Sequence, residues 1–584
     1  MSARPGTGDS DLAIARRLLG LLRTEDRRWL LAGTALALLS MLSGIGLLAV
    51  SGHFITAMAL VGAGGAAINY YTPAALIRLL AILRTGGRYA ERLATHEATL
   101  RVLARLRTWL FARLVPLAPA RLGGLRSAEL FSRLRADVDA LEHAFLGVLL
   151  PLVVAAATVL VVLVVVLCRL PVLALPLGAL MLAAGFLLPR WTQRRGRTPG
   201  EAAVAHAEEL RVLAVDGLRG RAELALYGAE AAHAAKVDAA AAKLRQARAR
   251  IDRLQALGNS GVALAAQCAA VAVLACGLPA LAAGALEPAA LTMLVLLASA
   301  AFEAIAPLPE AWTQLGATLA SARRVFALAD TPPAVAEPAA PTPPAHGDAL
   351  SIRHLRMRHG EAGPWVLDDV NLDLPQGCRL ALVGASGAGK SSLAGALLRL
   401  YPCEGGITLG GVPLAAWQGD DLRARIALVD QQPYLFDASL RDNLRLARPD
   451  ASDAQLAQAI RRAQLDDYVA SLPQGLDTRV GENGVRVSGG EARRIAIARA
   501  LLADAPILIL DEPLEGLDAD TAARLYRALD EATTGRSVLL ITHRLGQLSA
   551  LVDEVATLRE GRIVGRRAVA AAPSRTVCAC SAGP

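Results

Sequence analysis

The chain has 584 residues, of which 54% are hydrophobic and 19% charged, and a mean hydropathy of +0.41. At roughly 150 residues per domain it holds several units, and its charged share lies below the about 25% of soluble globular chains, which excludes a disordered or fibrous protein and favours a membrane protein. The formal charge of +9 rests on 61 Lys and Arg, an excess that in a membrane protein reflects positive-inside bias rather than nucleic-acid binding, and the seven scattered cysteines lack metal-type spacing and argue against a disulfide framework.

No secretory signal opens the chain, because the first long apolar run begins only near Trp29 and is too long for a signal segment. Leu12 to Leu22 is amphipathic, with Arg16, Arg17 and Arg23 on its polar side. It reads as a helix on the cytoplasmic membrane surface. A span needs about 20 apolar residues. Leu30–Val50 supplies the first, and the second starts near Pro73 after an external loop around Gly64–Tyr71. The third, Ala144–Leu167, and the fourth, Val172–Leu188, form a tight hairpin across Cys168–Pro171. The fifth and sixth are Gly261–Leu286 and Leu291–Leu308. The stretches 92–135 and 190–253 are rich in Arg, so both lie in the cytoplasm with the termini. They read as long helices, interrupted near Pro119–Gly123 and Gly217–Gly220, with turns placed to meet a cytoplasmic domain. Cys168, Cys268 and Cys276 read as small apolar packing residues.

On the second span Arg84, Arg88, Arg92 and His96 recur every four residues. A four-residue step advances about 40° past a full turn, so the four form one drifting stripe. Ionisable groups within a span face a cavity or pair with one another, and Glu303 of the sixth span is the candidate partner. Such a pocket suits a carboxylate, a thiolate peptide or a haem propionate.

A Pro/Ala run over 331–346 marks a linker. Beyond it, strands alternate with helical stretches in an α/β pattern. The strand Arg379–Val383 is followed by Gly384-Ala-Ser386-Gly387-Ala-Gly389-Lys390-Ser391, the G-x-x-x-x-G-K-S phosphate loop, with Ser392 next. Its glycines let backbone N–H groups close around phosphates, Lys390 faces the β/γ-phosphates, and the Ser391 hydroxyl ligates Mg²⁺. The apolar strand Ile507–Leu510 ends in Asp511, a Mg²⁺ ligand, and Glu512, which orients or deprotonates water. Ser488-Gly489-Gly490-Glu491 opens an Arg-rich helix as a second phosphate cradle, and Ser488 also suits a helix cap. His543 ends another strand and faces the γ-phosphate. Gln431, between the two cradles, senses metal and water.

In this order, with Asp518 after Glu512, the motifs resemble the ATPase domain of ABC transporters, and the six spans before it resemble an ABC exporter half-transporter. The resemblance implies a multidomain fold, an all-α six-helix transmembrane domain followed by an α/β P-loop nucleotide-binding domain. It implies that two halves pair, each ATP lying between one phosphate loop and the other half's signature, Ser488–Glu491 here. Asp518 then lies in the loop following the catalytic carboxylate. More narrowly, Gly87–Thr99, Arg101–Pro119, Ala128–Glu142, the Glu491-Ala-Arg-Arg end and Glu515–Asp518 are similar to the CydDC thiol-reductant exporter family. That implies a heterodimer with a CydD-like half-transporter in a bacterial inner membrane. It also implies export of cysteine or glutathione in support of cytochrome bd assembly, and haem b as a further ligand with His96 as axial donor. Membrane lipid and a small-molecule cargo are the other expected partners. The alternatives are a homodimeric lipid or drug exporter, and a non-transporting membrane ATPase that regulates or assembles. The family usually carries a Tyr before the first strand that stacks on adenine; His359 stands there, with Trp365 as a substitute. Val487 and Leu514 also depart from the family's Leu and Thr. The expected divisions are 1–28 (amphipathic segment), 29–325 (transmembrane), 326–348 (linker), 349–566 (ATPase) and 567–584 (tail, with Cys578 and Cys580).

Overall fold

The computed structural model describes residues 11–22, 27–63, 69–122, 134, 137–141, 144–342, 347–360, 363–481, 487–543 and 546–569. The chain forms two compact units, one built from Met1–Leu114 and Arg126–Thr331, the other from Val115–Leu125 and Pro332–Pro584.

The first unit is helical: α1 Asp11–Leu22, α2 Arg27–Gly62, α3 Tyr71–Leu114, α4 Leu150–Arg169, α5 Pro171–Leu182, α6 Leu188–Arg219, α7 Arg221–Leu226, α8 Glu230–Ala282, α9 Pro288–Ile305 and α10 Leu308–Ala329. Among the described residues five helical stretches are long and apolar enough to cross a membrane: Arg27–Gly62, Asp137–Arg169, Pro171–Arg219, Glu230–Ala282 and Pro288–Ala329. They carry five of the six expected spans. The second expected span lies in α3, whose arginines keep it out of that set. It is nonetheless packed closely along α2: Ser40 Oγ donates to the Arg84 carbonyl at 3.0 Å, and a Cβ on Gly33 would come within 2.8 Å of Thr95. Small residues bring helices close enough for dispersion contacts where lipid removes any hydrophobic drive. The hairpin turn is tighter than expected, a single residue, Leu170, between α4 and α5. The described part of the first cytoplasmic stretch is helical as far as Leu117, the second is helical as expected, and the break at Gly220 separates α6 from α7.

Helix α1 does more than lie on a surface. Ile14 and Leu18 are buried in one cluster with Val325 and Phe326 of α10. The Arg17 guanidinium stands 4.3 Å over the Phe326 ring and grips Asp330 with two bonds of 2.5 and 2.6 Å.

The second unit holds three sheets. Strands β1 Leu350–Arg358, β2 Trp365–Leu374, β4 Glu404–Leu409 and β5 Val412–Pro413 form an antiparallel sheet ordered β2-β1-β4-β5, with β3 Arg379–Val383 lying in the central sheet. That six-stranded sheet also takes β6 Ile426–Val429, β9 Ile507–Asp511, β10 Ser537–Thr542, β11 Glu554–Arg559 and β12 Arg562–Ala568, in the order β12-β11-β3-β10-β9-β6. A short pair, β7 Ala438–Ser439 and β8 Arg479–Val480, completes the set. All but β12 run parallel in the central sheet, and β9 and β10 are buried along their whole length. A parallel sheet covered on both faces demands such continuous apolar strands. Three helices matter for the site: α11 Lys390–Leu397, α12 Gly489–Ala503 and α13 Ala519–Ala532.

Four expectations change. Phe326–Ala329 belong to α10, so the linker starts later. Its described part is no free spacer: Glu337 accepts the Gly419 N–H at 2.9 Å, and Arg399 donates to the Ala336 carbonyl at 2.7 Å. Arg567 and Ala568 pair in β12 with Val555 and Glu554, so the domain runs past 566; the rest of the expected tail, with Cys578 and Cys580, lies outside the described residues. Cys378 is disulfide-bonded, against the expectation of no such framework, whereas Cys168, Cys268, Cys276 and Cys403 are free.

Candidate functional site

Strand order builds the site. The phosphate loop follows β3, His543 follows β10, Asp511 ends β9 and Gln431 comes just after β6. Those four strands are neighbours in the order β3-β10-β9-β6. Residues more than a hundred positions apart therefore meet at one carboxyl edge, where parallel α/β sheets bind ligands.

Two glycines shape the phosphate loop. A Cβ on Gly384 would meet the Leu558 carbonyl at 2.4 Å, and Gly389 holds φ at +103° with the Val366 carbonyl 2.8 Å from its missing Cβ. The loop thus closes into a bare cradle of backbone at the start of α11. Lys390 is buried, and its Nζ donates to the carbonyls of Gly384 and Ala385 at 2.8 and 3.0 Å. Ser391 Oγ donates to Asp511 Oδ2 at 2.6 Å. This hydroxyl–carboxylate pair beside a lysine and a glycine cradle has the donor set of a Mg–nucleotide site, so the residues present fit ATP and Mg²⁺. Burial raises the Asp511 carboxyl above its ordinary range; the Ser391 bond opposes this, and the nearby charges of Asp430 and Glu512 add to it. A divalent cation relieves that crowding of three carboxylates.

Glu512 is buried and held at φ 49°. Its Oε1 accepts the His543 backbone N–H at 2.7 Å and faces His543 Nδ1 at 2.8 Å, and its Oε2 accepts from Thr542 Oγ1 at 3.0 Å. Three contacts from the end of β10 thus fix the carboxylate, with a histidine directly upon it. A base oriented by a neighbouring group is the arrangement that general-base catalysis needs.

On the other side of the domain Ser488 caps α12. Its Oγ accepts the Glu491 N–H at 3.3 Å, and Glu491 Oε2 accepts the Ser488 N–H at 2.8 Å. The expected cap is therefore present as a reciprocal box, which leaves the helix N-terminus available to an anion. A cleft of about 600 Å³ runs past Ser488, Gly489, Gly490 and Glu491 to Gln431, Glu515 and Asp518, and no phosphate-loop residue lines it. Asp518 caps α13, accepting the Thr521 N–H at 2.9 Å, and that bond holds its carboxyl below the ordinary range.

Gln431 departs from its expected place. Its Nε2 donates to Glu515 Oε2 at 3.2 Å, so its side chain serves the cleft and not the Ser391–Asp511 pair. The residue that reaches Asp511 electrostatically is its neighbour Asp430, which the sequence reading missed. Arg493 was also missed as a site residue. It is buried, donates to the Gln431 carbonyl at 2.9 Å and to the Glu515 carbonyl, and stands 3.5 Å from the Glu515 carboxylate. It ties three separate segments together. Its one signal was the Arg pair after Glu491. His359 lies just after β1 and ahead of β3; its Nε2 lies 3.1 Å from Ser392 Oγ and its ring meets Tyr401 edge-on at 5.2 Å. Trp365 is half-exposed with Arg358 stacked on it at 4.8 Å.

In the helical unit, Arg88, Arg92 and His96 are exposed on α3, and Arg84 is half-buried against Gly44 of α2. Glu303 is exposed on α9 and makes no ion pair with the stripe among the described residues. The expected pairing is absent; the carboxylate whose charge feels Arg88 and Arg92 is Glu91, three residues after the first and adjacent to the second on the same helix. No group of three or more His, Cys, Asp or Glu side chains placed to hold a metal ion occurs among the described residues.

Residues 30–305 match the ABC transporter transmembrane region and residues 367–515 match the ABC transporter family. The chain is similar to the glutathione/L-cysteine transport system ATP-binding/permease protein CydC of Escherichia coli, 38% identical over 94% of this chain and 96% of that one. It is similar to the protein of the same name from Haemophilus influenzae, at 32% over 92% and 93%. It also resembles an ATP-dependent lipid A-core flippase of Alkalilimnicola ehrlichii, 36% identical over 62% of this chain and 61% of that one. A bacterial Atm1-family ABC exporter with ATP bound superposes with a TM-score of 0.82 at 25% identity, covering 94% of this chain and 96% of that structure.

Proposed function

Because the chain belongs to the ABC transporter family, as an ATP-hydrolysing exporter half with its ATPase domain on the cytoplasmic side of a bacterial inner membrane, we propose that it exports thiol reductants, glutathione or cysteine, in company with a CydD-like half-transporter. The signature cleft carries the two-chain reading. Ser488, Gly489 and Gly490 line it without any phosphate-loop residue, so a nucleotide on Lys390 and Ser391 needs another chain's signature to close it. Gly384, Ser386, Gly387, Gly389, Lys390, Ser391 and Ser392 hold the phosphates, and His359 with Tyr401 flanks them on the base side. Asp511 and Ser391 hold Mg²⁺, which neutralises charge on the phosphates. Glu512, fixed by His543 and Thr542, takes the proton of the attacking water. Arg493, Gln431 and Glu515 join the signature helix to the loops around it, so closure at the cleft is felt at all three.

The cargo reading rests on the similarity to two CydC proteins along nearly the whole chain. The exposed cations Arg88 and Arg92 suit the carboxylates of glutathione. On the family resemblance alone, we also propose support for cytochrome bd assembly, and haem b as a second ligand at His96. The test is ATPase stimulation of the purified two-chain assembly by glutathione and cysteine. Arg88→Ala with Arg92→Ala should raise the half-stimulating concentration about a hundredfold or more, each of the two lost charge-assisted contacts being worth about 1.5 kcal/mol or more. Stimulation by lipid A-core alone would favour the flippase reading. An optical titration with haem, wild type beside His96→Ala, settles the second ligand: a Soret shift lost in the variant supports it, and no shift removes it.

A further inference from the structure

We infer that the chain carries a resident site for one anionic glycerophospholipid of the inner leaflet, in an apolar groove between the amphipathic helix and two spans. The groove has a volume of about 640 Å³, and it is lined by Arg16 and Gly20 of α1, Arg27, Leu30, Leu31 and Thr34 of α2, Phe145 and Leu149 of the π-helical turn Ala144–Leu149, and Leu150 and Val153 at the start of α4. That volume falls within the 300–1,000 Å³ of small-molecule sites.

Three observations identify the occupant. First, the walls offer hydrocarbon and no unmet polar group: the single hydroxyl, Thr34 Oγ1, already donates to the Leu30 carbonyl at 2.8 Å. A peptide would leave its own N–H and C=O groups unpaired against such walls, and an acyl chain has none to satisfy. Second, the polar end is cationic. Arg16 and Arg27 are exposed and have no hydrogen bond or ion pair among the described residues, in contrast to Arg17, which is spent on Asp330. Third, the position is that of an inner-leaflet headgroup. Arg27 opens α2 just before its apolar run, and Leu150 opens α4 after the Arg-rich cytoplasmic stretch. Basic pockets between helix ends on the cytoplasmic side are where anionic headgroups bind.

Docking of α1 makes the groove. Ile14, Leu18 and Arg17 fasten the helix to α10, which leaves the Arg16–Gly20 edge facing α2 and α4. The phosphate rests between the two guanidiniums, one acyl chain fills the space along Leu30, Leu149 and Val153, and the second stays in the bilayer. Leu31 and Val153, 56% and 42% exposed, continue the apolar wall outward. The inference does not depend on the cargo assigned above.

The test is native mass spectrometry of the delipidated full assembly in detergent, titrated with palmitoyl-oleoyl phosphatidylglycerol or the matching phosphatidylcholine. The expected result is a tight phosphatidylglycerol adduct that the double variant Arg16→Ala, Arg27→Ala weakens about thirtyfold, which at 1.4 kcal/mol per tenfold matches about 1 kcal/mol for each cation. Arg16→Lys with Arg27→Lys should retain most of the binding, and Thr34→Trp, which fills the groove, should lose it with both cations in place. Basal ATP hydrolysis, kept in all three variants, reports that they fold. Equal retention of the two lipids, or an unchanged adduct in the alanine double variant, overturns the inference. So does a photoactivatable phosphatidylglycerol that labels only residues outside α1, α2 and the start of α4, or a photocrosslinker at Leu31 that captures the partner polypeptide in place of lipid. ATP-dependent movement of labelled phosphatidylglycerol to the outer leaflet that Thr34→Trp abolishes would make the groove a transport path and overturn residence.

Discussion

Replacing Glu512 by Gln removes a base while keeping its surroundings. Oε1 accepts two contacts from His543, and Oε2 accepts one from Thr542. A glutamine retains the oxygen that faces His543, and its amide nitrogen can donate to the Thr542 hydroxyl, which accepts as readily as it donates. The local geometry should persist, with a stability change within about 1 kcal/mol. What is lost is proton abstraction, which contributes about 10² to 10⁴ in rate, or about 3 to 5 kcal/mol of barrier at 1.36 kcal/mol per tenfold. The assay is phosphate release from the two-chain assembly with the partner's own base silenced in both samples, so that turnover reports this site, and ATP binding measured separately. We expect hydrolysis down at least about a hundredfold with ATP affinity within about threefold of wild type. Hydrolysis above a tenth of wild type would refute Glu512 as the base. Loss of ATP binding in step with hydrolysis would show that the carboxylate holds the site together instead of acting on water.

Asp511→Asn should raise the melting temperature of the nucleotide-free protein near neutral pH and abolish the stabilisation that Mg–ATP confers. Burial raises the folded carboxyl above its ordinary 3.8, so the stability tied to its proton is full below that value, is lost as pH rises through the folded value, and stays lost at neutral pH. The gain from Asn should therefore vanish below about pH 3.8 in calorimetric scans. Ser488→Ala removes a helix cap worth about 1 kcal/mol and a phosphate contact offered to the other chain; hydrolysis should fall far more than that stability change implies, while nucleotide binding to the chain's own phosphate loop persists. For the α1 dock, the Arg17 bond lowers the Asp330 carboxyl, so its contribution is present above 3.8 and is lost as pH falls through the lowered folded value. Asp330→Asn should speed hydrogen exchange over Asp11–Leu22, and added salt should shrink the difference, because both side chains are largely exposed.

The parts that were legible in the sequence are those whose chemistry is local. The glycine spacing of 384–391, the strand ending in Asp511 and Glu512, and the Ser488–Glu491 start of α12 each carry their reason within about eight residues. The Gly-Lys-Ser run needs nothing distant to be a phosphate cradle, and Ser488 needs only Glu491 to complete its cap. Apolar length placed five spans for the same reason. The second span, placed from Pro73 in the sequence, lies in α3, whose arginines mark it as a stripe and keep it below the hydropathy of the other five. What remained hidden depends on strand order. Gln431 looked like a metal sensor because it lies between the two cradles in the sequence, yet its side chain turns to Glu515, and only the arrangement of β6 beside β9 shows that Asp430 is the charge next to Asp511. Arg493 read as one of several arginines on an Arg-rich helix; its burial and its grip on two carbonyls from distant segments appear only when α12 is packed. Glu303 and the stripe share a membrane depth in the sequence, but depth alone does not set which way two helices turn.

Export of glutathione is read out by uptake of labelled glutathione into inside-out vesicles that contain the full assembly. Uptake that requires ATP, saturates, is competed by cysteine and disappears with Glu512→Gln is the predicted result. Steady ATP hydrolysis with no glutathione or cysteine entering the vesicles would contradict it.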